Sequence, residues 1–286
     1  MLRLFRNLAP FMPFIILIFL LVFGRAISEL LLPKLMSDIV DIGIITGDIP
    51  FILQRGIMML AVTLGGSLCA VAASYFSGRT AAAFSRDVRR KVFRRVESFS
   101  LQEFDEIGTA SLITRTTNDI TQLQQAVTTM LRMMLYAPMM AVGGIVMTVS
   151  KDRPLSLVLL IVIPVIIVVV TLIGLRGLPL FRILQQRIDR LNMVLRESLV
   201  GVRVIRAFNR TEHEKRRFER ANRDLMDVSV KVNRLMAFMM PSMMLLFNLT
   251  AIAVIYFGSL RIEAGAMQVG SLMAFIQYVS RIMFAL

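Results

Sequence analysis

Six apolar stretches alternate with polar segments along the chain, and no segment shows the alternating pattern of a β-strand. The stretches cover about residues 11–32, 57–78, 130–150, 155–175, 236–260 and 269–286. A helix needs about 20 mainly apolar residues to cross a hydrocarbon core of ~30 Å. The pattern therefore predicts an all-α membrane protein with six transmembrane helices. No basic flank follows the sixth stretch, which predicts a truncated last helix.

Two long polar segments, residues 79–129 and 176–235, lie between these stretches. Apolar residues recur in both at three- and four-residue spacing, as expected for amphipathic helices that leave the membrane and return. The second helix would run without a break from residue 57 to residue 97, roughly 60 Å at 1.5 Å per residue. The sequence thus predicts two long helical hairpins, each with a short connection at its tip.

The tip of the first hairpin carries local signals for a short helix. Ser100 and Glu103 have the spacing of a capping box, and Gly108 and Thr109 would end the helix and cap the next one. In the second hairpin, Thr211 and Glu214 repeat the capping-box spacing. The first return arm is predicted to carry one apolar face, formed by Ile113, Ile120, Leu123, Val127 and Leu131.

Three polar residues on this return arm are predicted to brace the first hairpin. Arg115 and Asp119 are four residues apart, so a helix would place their charges side by side. Asn118 lies between them. We interpret these residues as structural rather than as contacts to a nucleotide.

The charge distribution predicts the orientation of the chain. The net charge is +14, with 33 basic against 19 acidic residues. Lys and Arg are concentrated in the two hairpins, and the positive-inside rule places both of them in the cytoplasm. Arg3 and Arg6 precede the first span, so the N-terminus is predicted to be cytoplasmic. Orientation in the membrane accounts for the basic charge, and we expect no nucleic-acid partner.

Several kinds of catalytic site are excluded by composition. A phosphate-binding loop needs Gly-Lys followed by Ser or Thr, and none of the five lysines has that context. Cys69 and His213 are the only residues of their types, so no catalytic triad, disulfide or His/Cys metal site can be built. We therefore predict no catalytic, nucleotide-binding or metal-binding residues in this chain.

Charged and amide side chains within the spans are candidates for a substrate cavity, because an ion inside a membrane is costly unless it faces a cavity or a partner. These candidates are Arg25, Glu29, Asn248, Gln277 and Arg281. For the charged ones, pairing between helices is the alternative. A six-span channel or ion-coupled carrier with helical cytoplasmic extensions is the alternative function. It would require broken helices or a series of intramembrane carboxylates, whereas only Glu29 lies well inside a span.

The hairpin motifs resemble those of ABC exporters. Residues 104–108 (Phe-Asp-Glu-Ile-Gly), 112–115 (Leu-Ile-Thr-Arg) and 117–120 (Thr-Asn-Asp-Ile) resemble the first intracellular loop of that family. Residues 201–209 (Gly-Val-Arg-Val-Ile-Arg-Ala-Phe-Asn) resemble the second. The resemblance covers essentially the whole chain. Residues 121–124 (Thr-Gln-Leu-Gln) make it strongest for subunits of bacterial heterodimeric multidrug exporters.

The resemblance implies a type-1 ABC exporter transmembrane domain that forms half of a substrate pathway for amphipathic drugs, lipids or peptides. ATP and Mg²⁺ would bind to nucleotide-binding domains, which this chain lacks, so a fragment of a longer chain is expected, with a stand-alone permease as the alternative. The implied partners are those domains, membrane lipid and a second half-transporter, with a heterodimer favoured over a homodimer. Two coupling helices would meet the nucleotide-binding domains through Gln102, Glu103, Phe104, Asp105, Glu106, Ile107, Arg206, Ala207, Phe208, Asn209 and Arg210.

Overall fold

The computed structural model describes residues 6–285, with side chains from Leu8 onward. Every regular element in this range is helical, which confirms the predicted all-α fold. Arg3 and the side chain of Arg6, expected to flank the first span, lie outside the described part of the chain, as does Leu286 at the end of the sixth stretch.

Nine α-helices form within residues 6–285. They are α1 (Met12–Asp38), α2 (Ile49–Glu97), α3 (Leu101–Ile107), α4 (Thr109–Thr114), α5 (Ile120–Lys151), α6 (Arg153–Val200), α7 (Val202–Ala207), α8 (Thr211–Glu263) and α9 (Val269–Ala285). A 3₁₀ turn (Arg6–Phe11) precedes α1, and π-helical turns follow α1 (Ile39–Ile44) and α4 (Arg115–Asp119).

Five helical segments are long and apolar enough to cross a membrane. They are Leu8–Ile44, Ile49–Glu97, Thr109–Lys151, Arg153–Val200 and Thr211–Glu263. The shorter apolar helix α9 has 17 residues. The protein is therefore a multi-pass membrane protein with the helix pattern predicted from its sequence.

The first helix is longer than predicted and does not end near Pro33. Pro33 lies inside α1, the π-helical turn extends the helical segment to Ile44, and residues 45–46 are also helical. Only Gly47 and Asp48 separate this segment from α2, where Asp48 caps the helix by accepting a hydrogen bond from the amide of Phe51 at 3.0 Å. Leu35, Ser37 and Asp41 are buried at this end of the helical segment, whereas Ile42, Ile44 and Ile45 are exposed.

The π-helical turn at Arg115–Asp119 changes which residues form the apolar face of the return arm. A π-helical turn adds about one residue to an α-helix. Leu112 and Ile120 therefore come into phase, and both are buried, at 7% and 4% exposure. Ile113, predicted for this face, is 59% exposed. That prediction was wrong because it assumed an unbroken α-helix.

Residues Met1–Leu157 and Val254–Leu286 form one compact unit. Within it α1 packs against α2, α5 and α9, and α5 also packs against α2 and α9. One buried cluster joins α1, α2 and α5 through Ile18, Val22, Ala73, Phe84, Val127 and Leu131. Another joins α1, α5 and α9 through Ala26, Leu30, Met140, Ala274 and Tyr278. The long helix α2 runs from this core to the tip of the first hairpin.

Residues Val158–Ala253 form the second compact unit, which contains the second hairpin. Arg187 of α6 pairs with Asp224 of α8 at 3.1 Å. Nearer the tip, Arg217 of α8 pairs with Glu197 of α6. These contacts between residues on both arms confirm that this segment is a helical hairpin with α7 at its tip.

Two predicted helix caps are not formed. Thr109 is the first residue of α4, and Gly108 occupies the cap position. Thr211 is likewise the first residue of α8, so it does not act as an N-cap. The Glu214 carboxylate instead accepts a hydrogen bond from Ser198 across the hairpin at 3.3 Å. In both cases the helix starts one residue earlier than the capping pattern requires.

Candidate functional site

The short helix α3 at the tip of the first hairpin is held by its own local hydrogen bonds. The Ser100 amide donates to the Glu103 carboxylate at 2.9 Å, and the Glu103 amide donates to the Ser100 hydroxyl at 3.3 Å. Gly108, at φ 79°, ends the helix, and its amide donates to the Phe104 carbonyl at 2.9 Å. The predicted capping box and glycine stop are thus confirmed.

The surface of α3 is open to solvent along its whole length. None of its residues is buried. Gln102, Glu103, Asp105 and Glu106 are exposed, and Phe104 and Ile107 are half-buried. Leu101, which the sequence reasoning did not include, is 85% exposed. An apolar residue directly after the capping serine was the signal that could have identified it.

The capping box also stabilises the ionised form of Glu103. Hydrogen bonds from the Ser100 amide and then from the Ser100 hydroxyl lower the pKa of this exposed carboxyl from its usual 4.5. The carboxylate is therefore charged whenever the surrounding solution is near neutral, and α3 carries Glu103, Asp105 and Glu106 as three negative side chains.

The predicted brace on the return arm has a different structure. Arg115, Asn118 and Asp119 are exposed, and Arg115 and Asp119 form no ion pair within residues 6–285. They lie in the π-helical turn, where residues four apart do not stack as in an α-helix. The two arms of the hairpin are instead joined by Arg89, whose Nε donates to the Thr116 carbonyl at 3.3 Å.

A depression of ≈ 260 Å³ lies beneath α3, between the two arms of the first hairpin. It is lined by Arg95, Val96 and Phe99 of the outgoing arm and connection, and by Ile107, Leu112, Arg115 and Thr116 of the tip and return arm. The Arg115 side chain thus faces the depression under α3 and not the Asp119 carboxylate.

The tip of the second hairpin ends in a Schellman motif. Asn209 adopts φ 51°, and its amide donates to the Arg206 carbonyl at 3.1 Å. The Arg210 amide donates to the Ile205 carbonyl at 2.8 Å, which completes the motif. Arg206, Ala207, Phe208, Asn209 and Arg210 are all exposed, and Phe208 is 74% exposed.

The second tip is supported by charged groups directly behind it. Arg217 bonds to the Glu197 carboxylate, and this hydrogen bond raises the pKa of the guanidinium group. Its other nitrogen lies 3.5 Å from Glu214. These contacts join the two helical arms of the second hairpin close to the turn that displays Phe208.

Inside the membrane-spanning part, three of the predicted cavity residues come together with a tyrosine. Glu29 accepts hydrogen bonds from Arg25 Nε at 2.9 Å, Arg281 Nη1 at 2.8 Å and the Tyr136 hydroxyl at 2.5 Å. The Arg25 guanidinium also lies 4.5 Å from the centre of the Tyr136 ring. We call these four residues the Glu29 cluster. They connect α1, α5 and α9, so the charged side chains are paired between helices.

The other two cavity candidates are not part of this cluster. Gln277 lies on the exposed side of α9, whereas its neighbour Tyr278 is buried and donates to the Leu30 carbonyl at 2.9 Å. Asn248 is exposed on α8 within the second unit. The structure thus groups Arg25, Glu29 and Arg281 and leaves Asn248 and Gln277 as separate surface positions of their helices.

A second polar cluster, which the sequence reasoning missed, lies near the short connections. Asp41 is 7% exposed and accepts hydrogen bonds from the Gly270 amide at 2.6 Å, the Ser37 hydroxyl at 2.9 Å and the Ser271 hydroxyl at 3.1 Å. Lys151 Nζ donates to the Ser37 hydroxyl at 2.9 Å. These five residues form the Asp41 cluster, in which Asp41 caps the first turn of α9.

No group of three or more metal-ligating side chains occurs within residues 6–285. The polar clusters are organised around arginine, lysine, serine and single carboxylates, which are not typical sets of metal ligands. The arrangement can bind and position charged or amphipathic groups.

The chain matches the ABC transporter transmembrane region over residues 14–286. It belongs to this family. Together with the all-helical fold, this match identifies the chain as the transmembrane region of an ABC transporter.

Relatives of this ABC transporter domain are known in several bacteria. It is 38% identical to an uncharacterised ABC transporter ATP-binding protein of Mycobacterium tuberculosis over 98% of this chain and 48% of the relative. A similar protein of Bacillus subtilis is 36% identical over 90% of this chain and 45% of the relative. An ATP-dependent lipid A-core flippase of Chromobacterium violaceum is 24% identical over 88% of this chain and 43% of the relative. The chain spans about half the length of these relatives.

Proposed function

We propose that this chain forms half of the substrate pathway of an ATP-driven exporter in the bacterial plasma membrane. Both hairpins and the N-terminus face the cytoplasm, as the distribution of basic residues favours. Nucleotide-binding domains outside residues 1–286 hold ATP and Mg²⁺. ATP hydrolysis there drives the export of amphipathic small molecules such as drugs, lipids or peptides.

The observation that carries this proposal is that α3 is a well-defined helix although none of its residues is buried. A seven-residue helix with no buried residue would gain little from its own packing, yet a reciprocal capping box defines it. It lies at the end of α2, which has 49 residues and spans about 74 Å at 1.5 Å per residue. Leu101 and Phe104 form an apolar surface on α3 that a nucleotide-binding domain would contact, and acidic residues lie beside them.

The second tip supports the same function. Phe208 is a large exposed aromatic side chain held on a defined turn, which suits insertion into a groove of a protein partner. We propose that it contacts the nucleotide-binding domain of a second half-transporter. The partner subunit is a different chain in the favoured assembly and an identical chain in the alternative. Membrane lipid covers the exposed apolar residues of the spans.

The substrate class is supported by the membrane-spanning part. The Glu29 cluster places charged groups beside apolar helix surface, as a pathway for amphipathic molecules requires. The relative named as an ATP-dependent lipid A-core flippase is consistent with a lipid-like substrate. Glu29 is paired with two arginines and does not form part of a series of free carboxylates, so the channel or carrier alternative gains no support.

Photo-crosslinking from single cysteines in the assembled transporter tests the coupling role. Cys69→Ala removes the one cysteine of these 286 residues, and any cysteines in the other parts of the transporter are also replaced. Leu101→Cys or Phe208→Cys is then labelled with a benzophenone maleimide. Phe93→Cys, on the exposed surface of α2, is the matched control. We expect ATP-dependent crosslinks to a nucleotide-binding domain from both tip positions and weaker ones from position 93. The absence of such crosslinks without nucleotide, with ATP and with trapped ATP would contradict coupling through the tips.

A functional assay separates docking from folding. Leu101→Glu adds a fourth negative charge to α3 without affecting a buried residue. We expect it to reduce transport at least severalfold while basal ATP hydrolysis and thermal stability are retained. Leu101→Met keeps an apolar side chain and should retain transport.

A further inference from the structure

The Glu29 cluster carries more positive than negative charge. Arg25 and Arg281 both bond to one carboxylate, and the fourth member, Tyr136, is a neutral phenol. The cluster therefore has a formal charge of +1. By comparison, Lys151 and Asp41 balance each other in the Asp41 cluster.

The depth of the Glu29 cluster makes this excess charge significant. Glu29 lies eight residues before Ser37 in α1, and Arg281 lies ten residues after Ser271 in α9. At 1.5 Å per residue, the Glu29 cluster is about 12–15 Å from the Asp41 cluster along the helices. Glu29 is also close to the middle of the apolar helical segment Leu8–Ile44, so the Glu29 cluster lies well inside a hydrocarbon core ~30 Å thick. An uncompensated cation at that depth is unfavourable, and a bound anion would compensate it.

Arg25 has free hydrogen-bond donors to offer such an anion. Only its Nε is used by Glu29, and its two terminal nitrogens have no hydrogen-bond partner within residues 6–285. The Arg25 side chain is 36% exposed. A guanidinium group binds carboxylate or phosphate through adjacent nitrogens, so an anion could bind without displacing Glu29.

A depression beside Arg25 provides space for the ligand. It has a volume of ≈ 250 Å³ and lies between α1 and α2. Besides Arg25 and Glu29 it is lined by Ser28, Leu32, Thr63, Gly66, Ser67 and Ala70. The Ser67 hydroxyl has no hydrogen-bond partner in the described part of the chain, whereas Ser28 and Thr63 donate to carbonyls of their own helices. Leu32 and Ala70 provide an apolar wall beside these polar groups.

We propose that this depression binds the anionic headgroup of an amphipathic molecule. Arg25 is the principal cationic ligand and Ser67 a second donor, while Arg281 holds Glu29 and adds positive potential. The apolar chain of the ligand lies against Leu32 and Ala70. This inference rests on the proposed pathway and assigns it a preference for amphipathic anions, either transported molecules or membrane phospholipids.

Equilibrium binding to the assembled transporter tests this preference without nucleotide. The transporter is placed in phosphatidylcholine nanodiscs and titrated with 11-(dansylamino)undecanoic acid. The methyl ester of this acid and the corresponding amine serve as neutral and cationic probes. Dansyl fluorescence reports binding after subtraction of the signal from empty nanodiscs. We expect the acid to bind more tightly than the ester, and the amine least tightly.

Substitutions locate the binding site. Arg25→Gln should weaken binding of the acid on the order of tenfold, as expected for loss of a charge-assisted hydrogen bond, and leave the ester unchanged. Arg25→Lys should retain part of the affinity, and Ser67→Ala should cause a smaller loss. Glu29→Gln should strengthen acid binding because it removes the competing negative charge. Arg55→Gln is the matched control, since Arg55 is 33% exposed and already faces Asp38 at 3.9 Å.

The outcomes are distinct. Equal binding of acid and ester, preference for the amine, or unchanged acid binding in both Arg25→Gln and Ser67→Ala would overturn the proposal. If Arg25→Gln does not fold, two other variants still test the proposal, since Ser67→Ala should weaken binding of the acid and Glu29→Gln should strengthen it. Competition by phosphatidylglycerol that depends on Arg25 would identify a lipid headgroup as a source of the anion, and its absence would favour a transported molecule. The binding assay does not depend on coupling to ATP hydrolysis. It can therefore be interpreted even if the hairpin tips do not crosslink to a nucleotide-binding domain.

Discussion

The two ends of the first unit are stabilised in different ways. At the short connections, Asp41 joins residues that are 229 and 230 positions away in the sequence. At the hairpin tip, the hydrogen bonds of the capping box join residues only three positions apart. The first end is buried, and the second has no buried residue. A tip held only by local bonds keeps its outer surface free for a partner, while the opposite end holds the helices together.

The largest expected effect comes from Gly270→Ala at the buried end. An added Cβ would lie 2.7 Å from both Asp41 Oδ1 and the Ser37 carbonyl oxygen. The substitution should lower the free energy of unfolding by about 2–3 kcal/mol, because the cap must break or the helices must separate. Thermal unfolding in nanodiscs measures this change. Gly56→Ala, where nothing lies within 4 Å, is the control and should not be destabilising. Equal stability of the two variants would show that the Asp41 end tolerates expansion.

Asp41→Asn should have the next largest effect, about 1–3 kcal/mol, because one buried acceptor becomes a donor. The Ser37 and Ser271 hydroxyls both donate to Asp41 Oδ2, and Lys151 would lose its nearby negative charge. The same unfolding assay applies. Asp48→Asn, at the exposed cap of α2, is a matched control, since asparagine also caps helices well. A loss no greater than that of the control would argue that Asp41 is not central to this end.

Ser100→Ala should destabilise α3 by about 1 kcal/mol, as expected for loss of an N-cap, and leave global unfolding unchanged. Hydrogen exchange of the amides in residues 101–107 measures the local effect. Ser98→Ala removes a hydroxyl that only donates back to the Arg95 carbonyl, at 2.8 Å, and should not alter α3. A shift in global unfolding would show that the tip is not as independent as its local bonds indicate.

The smallest expected effect is a pH dependence confined to the tip. The pKa of Glu103 is lowered from 4.5 in the folded protein, chiefly by the Ser100 amide. The unfolded segment therefore binds a proton before the folded one does. This contribution is fully present well above pH 4.5 and is lost as the pH falls through the lower folded pKa. Hydrogen exchange of α3, corrected for intrinsic rates, should show reduced protection below that range in the wild type. The Glu103→Gln variant should lack this dependence, and an identical pH profile in both would contradict the assigned role.

Features encoded by neighbouring residues were predictable from the sequence. The six apolar stretches predicted the membrane helices because hydrophobic length alone determines whether a helix can span a bilayer. Ser100, Glu103 and Gly108 predicted α3 since capping and glycine stops act within one turn. The Schellman turn at Asn209 is equally local, although only its position and not its geometry was predicted.

Features that depend on distant residues were not predictable. The Asp41 cluster requires α9 to start beside the end of α1, and no sequence pattern links residues 41 and 270. Arg25 and Glu29 could be paired because they are four residues apart, but the contributions of Tyr136 and Arg281 come from other helices. The 85% exposure of Leu101 likewise depends on how the tip packs, which the neighbouring residues do not encode.

The π-helical turn at Arg115–Asp119 makes one position in the first hairpin tolerant of a change in chain length. Deleting one residue there would leave an ordinary α-helix in which Leu112 and Ile120 are seven residue steps apart, which is nearly two full turns. Both side chains would still face the core. A deletion between Ile120 and Leu131 would instead rotate one part of the buried face by about 100° relative to the other. Shortening at the turn would change the reach of the arm while conserving its packing.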